Sequence, residues 1–168
     1  MLIRIATAEC FTHGKIATEI HAFSRGYPLS FNWRLVNSRY QLSLIAGLFI
    51  PTLSGVNTVL GCAPLNPVAN LHDIKVYDQD QDLIMAEIMA KSVKRITGAD
   101  IGIGTTAGIG KGGIAISYHD KCVKFSSECD ANLLFDSYPV IQKRQQSGII
   151  KTLEMLEKIL EQEFSPGI

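Results

Sequence analysis

The segment LIRIATAECFTHGKIATEIHAFSRG, residues 2–26, contains the pattern that decides the fold class. Its opening LIRIATA is a short apolar run with the length of a buried strand. After the central turn, Ile16, Ile20 and Phe23 recur at helical spacing. Gly26 then ends the apolar pattern, as glycine often does after a helix. The segment therefore predicts a strand, a tight turn and a helix.

The next part of the chain is apolar and poor in charge. FNWRLV, residues 31–36, predicts a second strand. SRYQLSLIAGLFI (38–50) and TLSGVNTVLG (52–61) predict two apolar helices that are separated at Pro51. CAPLNPVANLHD (62–73) has two prolines and no periodicity, which predicts a loop.

The second half begins with the clearest helix, DQDQDLIMAEIMAKSVKRITG (78–98), which has an apolar stripe, a possible aspartate cap and a closing glycine. ADIGIGTTAGIGKGGIAISYH (99–119) predicts a strand, a glycine-rich turn and another strand. Residues 142–164 predict a closing amphipathic helix. Alternating strands and helices predict a single α/β domain over residues 1–168, with a mixed, partly parallel sheet flanked by helices.

Composition restricts the class of partner and the compartment. The 16 basic and 16 acidic residues cancel, and no stretch has the density of Lys and Arg that a nucleic-acid backbone requires. A small ligand or a protein partner is therefore expected, and no nucleic acid. The four cysteines lack disulfide or zinc spacing, and the first ten residues do not resemble a signal peptide, so we expect reduced thiols and a cytoplasmic protein.

The stretch from Gln41 to Leu71 contains no charged residue. Pro51, Ser54 and Asn57 interrupt its apolar positions, so it lacks the run of about 20 apolar residues that a spanning helix needs. We expect no membrane contact. A buried core or a subunit interface accounts for the stretch better, and a homodimer is predicted from this apolar surplus.

Cys10 stands where the first strand ends and the first helix is predicted to begin. Free backbone N–H groups and the positive dipole end of a helix favour a thiolate and can hold an oxyanion. Ligands also collect at the carboxyl ends of strands in α/β sheets. Cys10 is therefore a candidate nucleophile, while a buried spacer remains the alternative because free cysteine is often buried.

Two polar residues flank the thiol. Glu9 precedes Cys10, and His13 follows at i+3, near enough to exchange a proton with the sulfur. His13 is a candidate acid or base, with a polar wall residue as the alternative. With His21, the remaining histidines and the cysteines, no three-ligand spacing emerges, so no metal site is predicted.

A second candidate region is GTTAGIGKGG, residues 104–113, called here the glycine turn. Its flexible backbone, two hydroxyls and one ammonium at a strand end suit a phosphate or carboxylate. The spacing matches neither a Walker A loop nor the dinucleotide fingerprint G-x-G-x-x-G, since Ala107 takes the last glycine position. A hairpin that binds nothing is the alternative.

ATAECFTHG and GADIGIGTTAGIGKGG together resemble the carboxy-terminal domain of CinA and the nicotinamide mononucleotide deamidases. Cys10 stands where that family has its catalytic serine, Phe11 and His13 replace a cysteine and a glycine, and Lys111 replaces a proline or its neighbour. The resemblance implies the CinA-like α/β fold.

Nearly the whole chain resembles the HcgF family of methanogenic archaea, which acts in the biosynthesis of the iron-guanylylpyridinol (FeGP) cofactor of [Fe]-hydrogenase. The resemblance is carried by ATAECFTHGKI, IHAFSRGY, FIPTLSGV, IKVYDQ and TGADIGIGTTAGIGKGG. It implies a guanylylpyridinol ligand and a thioester between its carboxyl carbon and Cys10. An adenylylating partner enzyme, HcgE-like, is expected to activate the carboxylate first, and no tightly bound cofactor is predicted.

The resemblance also assigns roles within the two motifs. The N–H groups of Phe11 and Thr12 are expected to stabilise the oxyanion of acyl transfer, a contact typically worth about 2.7 to 4 kcal/mol. The glycine turn is expected to bind the phosphate of the nucleotide half. The predicted substrate-binding residues are Glu9, Phe11, Thr12, Thr105, Thr106, Gly108, Gly110, Lys111 and Gly112, beside the catalytic pair Cys10 and His13.

Two other functions fit the same residues. An amidohydrolase acting on a pyridine nucleotide would use Cys10 in place of serine and release ammonia. A nucleotide-binding module would carry an inert thiol.

Overall fold

The computed structural model describes residues 2–36 and 38–165. Its helices and strands follow one another as β1 (Leu2–Glu9), α1 (Lys15–Ser24), β2 (Gln41–Phe49), α2 (Leu53–Leu60), β3 (Ala69–Leu71), β4 (Ile74–Val76), α3 (Gln79–Thr97), β5 (Ile101–Thr106), β6 (Ile109–Gly110), β7 (Gly113–Tyr118), β8 (Lys121–Phe125), β9 (Ala131–Asn132) and α4 (Tyr138–Glu163).

A five-stranded sheet in the order β2-β1-β5-β7-β8 forms the centre. β1 lies parallel to both β2 and β5, whereas β7 is antiparallel to β5 and β8. β3 with β4, and β6 with β9, form two small antiparallel pairs. The predicted mixed, partly parallel sheet is therefore confirmed, and the carboxyl ends of β1, β2 and β5 meet at one edge.

Helices cover both faces of this sheet. On one face, Ile20 of α1 and Leu156 of α4 pack in the same apolar cluster as Ile5 of β1. On the other face, Met89 of α3 packs in a cluster with Ala6 of β1. Alternate residues of β1 thus point to opposite helix layers, as the two-residue period of a strand requires. The result is the helix-flanked sheet that the sequence predicted.

The predicted long helix is confirmed as α3, with its termini where the sequence signals place them. The Asp78 side chain accepts a hydrogen bond from the Gln81 N–H, and the two residues form a reciprocal capping box. Gly98 ends the helix in a left-handed conformation, φ 66°. α3 also lies very close to β5, because a Cβ atom on Gly104 would come within 2.2 Å of the Ala86 carbonyl oxygen.

The prediction of a helix over residues 38–50 is wrong, because this segment contains strand β2. A short apolar run without charges has no periodicity that separates a buried helix from a strand. The strand form is favoured by tertiary contacts: β2 pairs in parallel with β1, and α1 packs so closely on it that a Cβ on Gly47 would lie 2.6 Å from Ala17 Cβ.

The predicted strand over residues 31–36 is also wrong, since this segment is an irregular loop. Two buried carboxylates bind its backbone and the segment before it. Glu19 accepts hydrogen bonds from the Ser30 N–H and the Trp33 indole, and Glu157 accepts from the Arg34 N–H. These contacts satisfy N–H groups that a strand would pair with a neighbour.

Two boundaries differ from the sequence prediction. The predicted loop 62–73 contains the short strand Ala69–Leu71, and the closing helix begins at Tyr138 rather than near residue 142. The uncharged stretch forms β2, α2 and β3. In the described part of the chain, no helix combines the length and the apolar character of a membrane span.

Candidate functional site

Cys10 immediately follows β1 at the carboxyl edge of the sheet. Its N–H donates to the carbonyl oxygen of Thr105 at 3.0 Å and to the Thr105 hydroxyl at 3.1 Å. Thr105 lies at the end of β5, opposite Glu9 of β1 in the parallel ladder. The structure thus brings the two predicted regions, the cysteine turn and the glycine turn, to the same end of adjacent strands.

The expected placement of Cys10 at a helix N-terminus is wrong. Helix α1 begins only at Lys15, because His13 and Gly14 have left-handed backbone conformations with φ of 52° and 74°. That conformation cannot continue a right-handed helix. Residues 10–14 therefore form a turn, and Cys10 precedes the helix by five residues.

Glu9, rather than Cys10, occupies the positive end of α1. Its carboxylate accepts the N–H groups of Ile16 at 3.2 Å and Ala17 at 2.9 Å, and the hydroxyls of Thr12 at 2.6 Å and Thr7 at 3.0 Å. Burial raises the pKa of Glu9, and these four bonds oppose that rise. The carboxylate is fully buried and so fixes the turn from beneath.

A chain of hydroxyl contacts joins this carboxylate to the cysteine backbone. The Thr12 hydroxyl donates to Glu9 and lies 2.8 Å from the Thr105 hydroxyl, which accepts from the Cys10 N–H. Thr12 and Thr105 are both fully buried. Four predicted site residues thus form one network that shapes the turn. Three of them, Glu9, Thr12 and Thr105, do not line the cavity described next.

Cys10 lines a cavity of about 260 Å³. Cys10 is 8% exposed, and Phe11, His13 and Arg144 line the same space. Ala107 of the glycine turn contributes one wall. The rest of the lining is apolar and comes from the end of β2 and the loop after it, the β3–β4 pair, the residue after β9 and the start of α4: Phe49, Pro51, Leu71, Ile74, Leu133 and Ile141.

His13 and Phe49 form an aromatic pair in the wall of this cavity. Their ring centroids are 4.9 Å apart and the rings are tilted by 47°. Partial burial of the imidazole, together with the nearby charge of Lys15, holds the pKa of His13 below its usual range. The imidazole is therefore neutral near pH 7 and can accept a proton.

Helix α4 fixes the cysteine turn from the other side. The Gln145 side chain donates to the Phe11 carbonyl oxygen at 2.9 Å and accepts from the Lys15 ammonium at 2.9 Å. One turn later, a Cβ on Gly148 would come within 2.5 Å of the Phe11 ring, so only glycine allows this approach. In the described residues, no hydrogen bond occupies the N–H of Phe11 or Thr12.

The glycine turn is held between a buried acid and a buried base. Asp82 accepts the Gly108 N–H at 2.8 Å, and Arg144 donates to the Gly108 carbonyl oxygen at 3.0 Å and to the Gly110 carbonyl oxygen at 2.9 Å. Burial raises the pKa of Asp82 to about 7, while the Gly108 N–H opposes the rise. The turn is therefore pinned by its own protein contacts.

The remaining predicted phosphate-binding residues lie outside the cavity lining. Thr106 is fully buried, and its hydroxyl has no hydrogen-bond partner in the described part of the chain. Lys111 is exposed, and its N–H donates to Gln79. The Gly112 carbonyl oxygen accepts from the same Gln79 side chain. Phosphate binding by Thr105, Thr106, Gly108, Gly110, Lys111 and Gly112 stays a prediction, and the turn offers fewer free N–H donors than such binding uses.

Sequence reasoning missed Arg144 and Asp82, the two charged residues that hold the glycine turn. Arg144, Gly148 and Thr152 follow one another at i+4 spacing on one face of α4, but the structure alone shows that this face is buried. The sequence does not distinguish Asp82 from the neighbouring aspartates in the first turn of α3, because any of them suits a helix N-terminus.

Two other features of the described residues bear on function. No group of three or more His, Cys, Asp or Glu side chains is arranged to hold a metal ion there. A larger open depression of about 480 Å³ lies at the other end of α3, lined by Lys91, Lys94, Arg95 and Lys121 among others. Its lining contains no cysteine, whereas Cys10 lines the smaller cavity.

A family model described as "FeGP cofactor biosynthesis protein HcgF" matches residues 2–160 of the chain. The chain belongs to the HcgF family. Its relatives include a UPF0254 protein of Methanothermobacter thermautotrophicus strain Winter, 52% identical over 159 residues that cover 95% of this chain and 96% of that protein. Another UPF0254 protein, from Methanocorpusculum labreanum, is 49% identical and covers 95% and 94%. Membership of the HcgF family assigns the chain to FeGP cofactor biosynthesis.

Solved structures of the CinA superfamily share the fold of this HcgF-family chain. The competence-damaged protein of Enterobacter cloacae has a TM-score of 0.52 and 19% identity, covering 94% of this chain and 82% of that one. The competence or damage-inducible protein of Enterobacter asburiae has a TM-score of 0.55 and 19% identity, with 94% and 87% covered. The CinA-like fold predicted from the two motifs is therefore confirmed.

Proposed function

We propose that this HcgF-family protein captures the activated carboxyl group of guanylylpyridinol as a thioester on Cys10. The single observation that carries the proposal is the position of Cys10 at the carboxyl edge of the sheet, in the lining of a largely apolar cavity of about 260 Å³. Pockets for drug-sized ligands have volumes of about 300 to 1,000 Å³. At about 260 Å³ the cavity is smaller than these pockets. It therefore suits the substituted pyridinol ring alone, and the nucleotide half of the ligand lies outside it.

The reaction begins from the acyl adenylate, because a free carboxylate has no adequate leaving group. The Cys10 sulfur attacks the acyl carbon, and the carbonyl oxygen becomes an oxyanion. When this intermediate collapses, the carbon–sulfur bond remains and the carbon–oxygen bond to the phosphate breaks. AMP leaves with the electron pair, and the thiol proton passes to a base.

Residues of the cysteine turn supply the two kinds of assistance that this step needs. The N–H group of Phe11, which lines the cavity, is free of hydrogen bonds to described residues and stabilises the oxyanion. The same role for the Thr12 N–H stays a prediction, because Thr12 is fully buried outside the cavity lining. Loss of such a donor typically costs about 2.7 to 4 kcal/mol. His13 lines the same cavity with a lowered pKa, so its neutral imidazole accepts the thiol proton.

The proposal includes an assembly and a cellular setting. An adenylylating partner enzyme, HcgE-like, supplies the acyl adenylate. The protein acts in the cytoplasm, a compartment compatible with its four free cysteines. It works as a homodimer, with the exposed apolar side chains Ile45, Phe49 and Val59 of the uncharged stretch at the subunit interface.

Intact-mass analysis tests the thioester. The protein is mixed with guanylylpyridinol, ATP and the adenylylating enzyme, and its mass is measured before and after hydroxylamine. We expect an adduct of one acyl group that hydroxylamine removes and that Cys10→Ala lacks. Cys62→Ala is the matched control, because Cys62 is also a free thiol but does not line the cavity.

Two results would contradict the proposal. An adduct that persists in Cys10→Ala would place the thioester elsewhere. No adduct in the parent protein, in a mixture where acyl adenylate is detected, would exclude capture on Cys10. Ammonia release from a pyridine nucleotide amide without an adduct would instead favour the amidohydrolase.

A further inference from the structure

Arg144 is the most deeply buried cation beside the thiol. Its side chain is 1% exposed, and the residue lines the Cys10 cavity. Nη1 donates to the carbonyl oxygens of Gly108, Gly110 and Ala131 at 2.7 to 3.0 Å. These neutral acceptors orient the guanidinium but do not cancel its charge.

The guanidinium also has unused donor capacity. Nε is buried and has no hydrogen-bond partner among the residues that the structure describes. Nη2 makes one contact, a long one of 3.4 Å to the Ala107 carbonyl oxygen. A buried N–H without an acceptor is unfavourable, so an oxygen atom that a ligand brings to the guanidinium would be stabilised there.

No carboxylate compensates the charge at close range. Arg144 forms no ion pair within residues 2–36 and 38–165. Asp82 is near enough to interact, but it is bound to the Gly108 N–H and its pKa of about 7 leaves it only partly ionised at neutral pH. Burial lowers the pKa of Arg144, yet a guanidinium stays protonated in proteins. Asp130 and Asp136 also interact with Arg144 electrostatically, without an ion pair to it among the described residues. Within the described residues, Arg144 is therefore the charged side chain of an otherwise largely apolar cavity lining.

We propose that Arg144 recognises an anionic oxygen on the acyl group of the ligand, next to the carbon that Cys10 attacks. This inference rests on the proposed function, since it assigns a role within the same cavity. Two sources carry such an oxygen: the carboxylate of the unactivated acid and the phosphate of the acyl adenylate. In the second case Arg144 also stabilises the charge that develops on AMP as the carbon–oxygen bond breaks.

Equilibrium binding tests recognition of the carboxylate without any need for acylation. Affinities of guanylylpyridinol and of its methyl ester at the same carboxyl group are measured by calorimetry. The parent protein should bind the acid more tightly than the ester. In R144Q this preference should disappear, because glutamine keeps N–H donors but has no charge. R144K should retain part of the preference, and the control K143Q, an exposed neighbour on α4, should retain all of it.

Single-turnover acylation of Cys10 tests recognition of the phosphate. The acyl adenylate is compared with the N-acetylcysteamine thioester of the same acid, whose leaving group is uncharged. R144Q should slow acylation by the adenylate on the order of 100-fold and leave acylation by the thioester close to the parent rate. A purely structural role of Arg144 in supporting the glycine turn would slow both donors alike.

The two arms give distinct conclusions. An effect on the acid alone identifies the carboxylate as the anion, and an effect on the adenylate alone identifies the phosphate. Unchanged preferences in both arms, or equal losses with charged and uncharged ligands, overturn the inference. If R144Q does not fold, R144K takes its place in both arms, and equal affinity of the parent for acid and ester overturns recognition of the carboxylate. If no donor acylates Cys10, the proposed thioester is refuted. The calorimetric comparison of acid and ester then still decides whether Arg144 recognises the carboxylate.

Discussion

Replacing Asp82 by asparagine should remove a pH-dependent loss of stability. The Asp82 carboxyl is fully buried. Its Oδ2 atom accepts the Gly108 N–H at 2.8 Å. The Thr106 hydroxyl lies close enough to oppose the rise in the pKa of Asp82, but no hydrogen bond of normal geometry joins it to Oδ1. In Asp82→Asn the carbonyl oxygen can keep the bond to Gly108, and the new amide N–H can donate to Thr106.

The magnitude follows from the pKa of this carboxyl. Burial raises the pKa of Asp82 from 3.8 to about 7. Since the folded-state pKa is the higher one, the protonated carboxyl favours folding. This contribution is complete below about pH 4 and is lost as the pH rises through 7. At about 1.4 kcal/mol per pH unit, the interval corresponds to at most about 4 kcal/mol of unfolding free energy.

Urea unfolding at pH 5, 6, 7 and 8 measures this effect. The single tryptophan, Trp33, stacks on Phe23 with ring centroids 4.2 Å apart and provides a fluorescence signal. The unfolding free energy of Asp82→Asn minus that of the parent should rise by about 1.4 kcal/mol per unit between pH 5 and 6.5 and level off near pH 8. All other titrating groups cancel in this difference.

Asp80→Asn is the matched control for this prediction. Asp80 lies in the same first turn of α3 but is exposed, so its replacement should give no pH-dependent difference. If the difference between Asp82→Asn and the parent stays constant from pH 5 to 8, the carboxyl ionises equally in the folded and unfolded states. The argument from burial would then be refuted.

Two further substitutions test how the cysteine turn is supported. Glu9→Gln should destabilise the protein by about 1 to 3 kcal/mol in urea unfolding. The amide replaces one acceptor oxygen of the buried network by an N–H donor, which then faces a helix N–H or a hydroxyl. Equal stability of the two proteins would show that the carboxylate is not needed. Gly148→Ala should cost about 1 to 3 kcal/mol and slow acylation of Cys10, because its Cβ would overlap the Phe11 ring. The exposed neighbour Gln146→Ala should change neither stability nor rate, and a Gly148→Ala variant with parent properties would contradict the packing argument.

Local patterns predicted the elements whose signals lie within one segment. The end of α1 and the caps of α3 were recognisable because Gly26, Asp78 and Gly98 act on their immediate neighbours. Strand β2 was not recognisable, because its apolar run fits either a helix or a strand. Its conformation depends on pairing with β1 and on the contact between Gly47 and α1.

The candidate site shows the same division between local and distant information. Cys10, Phe11 and His13 were predictable because they lie in one short motif, and all three line the cavity. Arg144 enters the cavity from α4, and its part in the site depends on contacts with residues of the glycine turn more than thirty positions away. The expected helix N-terminus at Cys10 failed because Glu9, a neighbour in sequence, binds the helix amides instead.

The two buried charges explain why the cysteine motif alone does not define the site. A single residue, Gly108, donates its N–H to Asp82 of α3 and accepts from Arg144 of α4. A side chain there would clash, since a Cβ would lie 2.4 Å from the backbone of Tyr77. The residue before it, Ala107, lines the cavity, so the position of that wall depends on both helices. Truncation of either side chain to alanine removes a hydrogen bond to Gly108 and should therefore shift the Ala107 wall, whereas Asp82→Asn and R144Q keep an acceptor or a donor at these positions and should leave the wall in place.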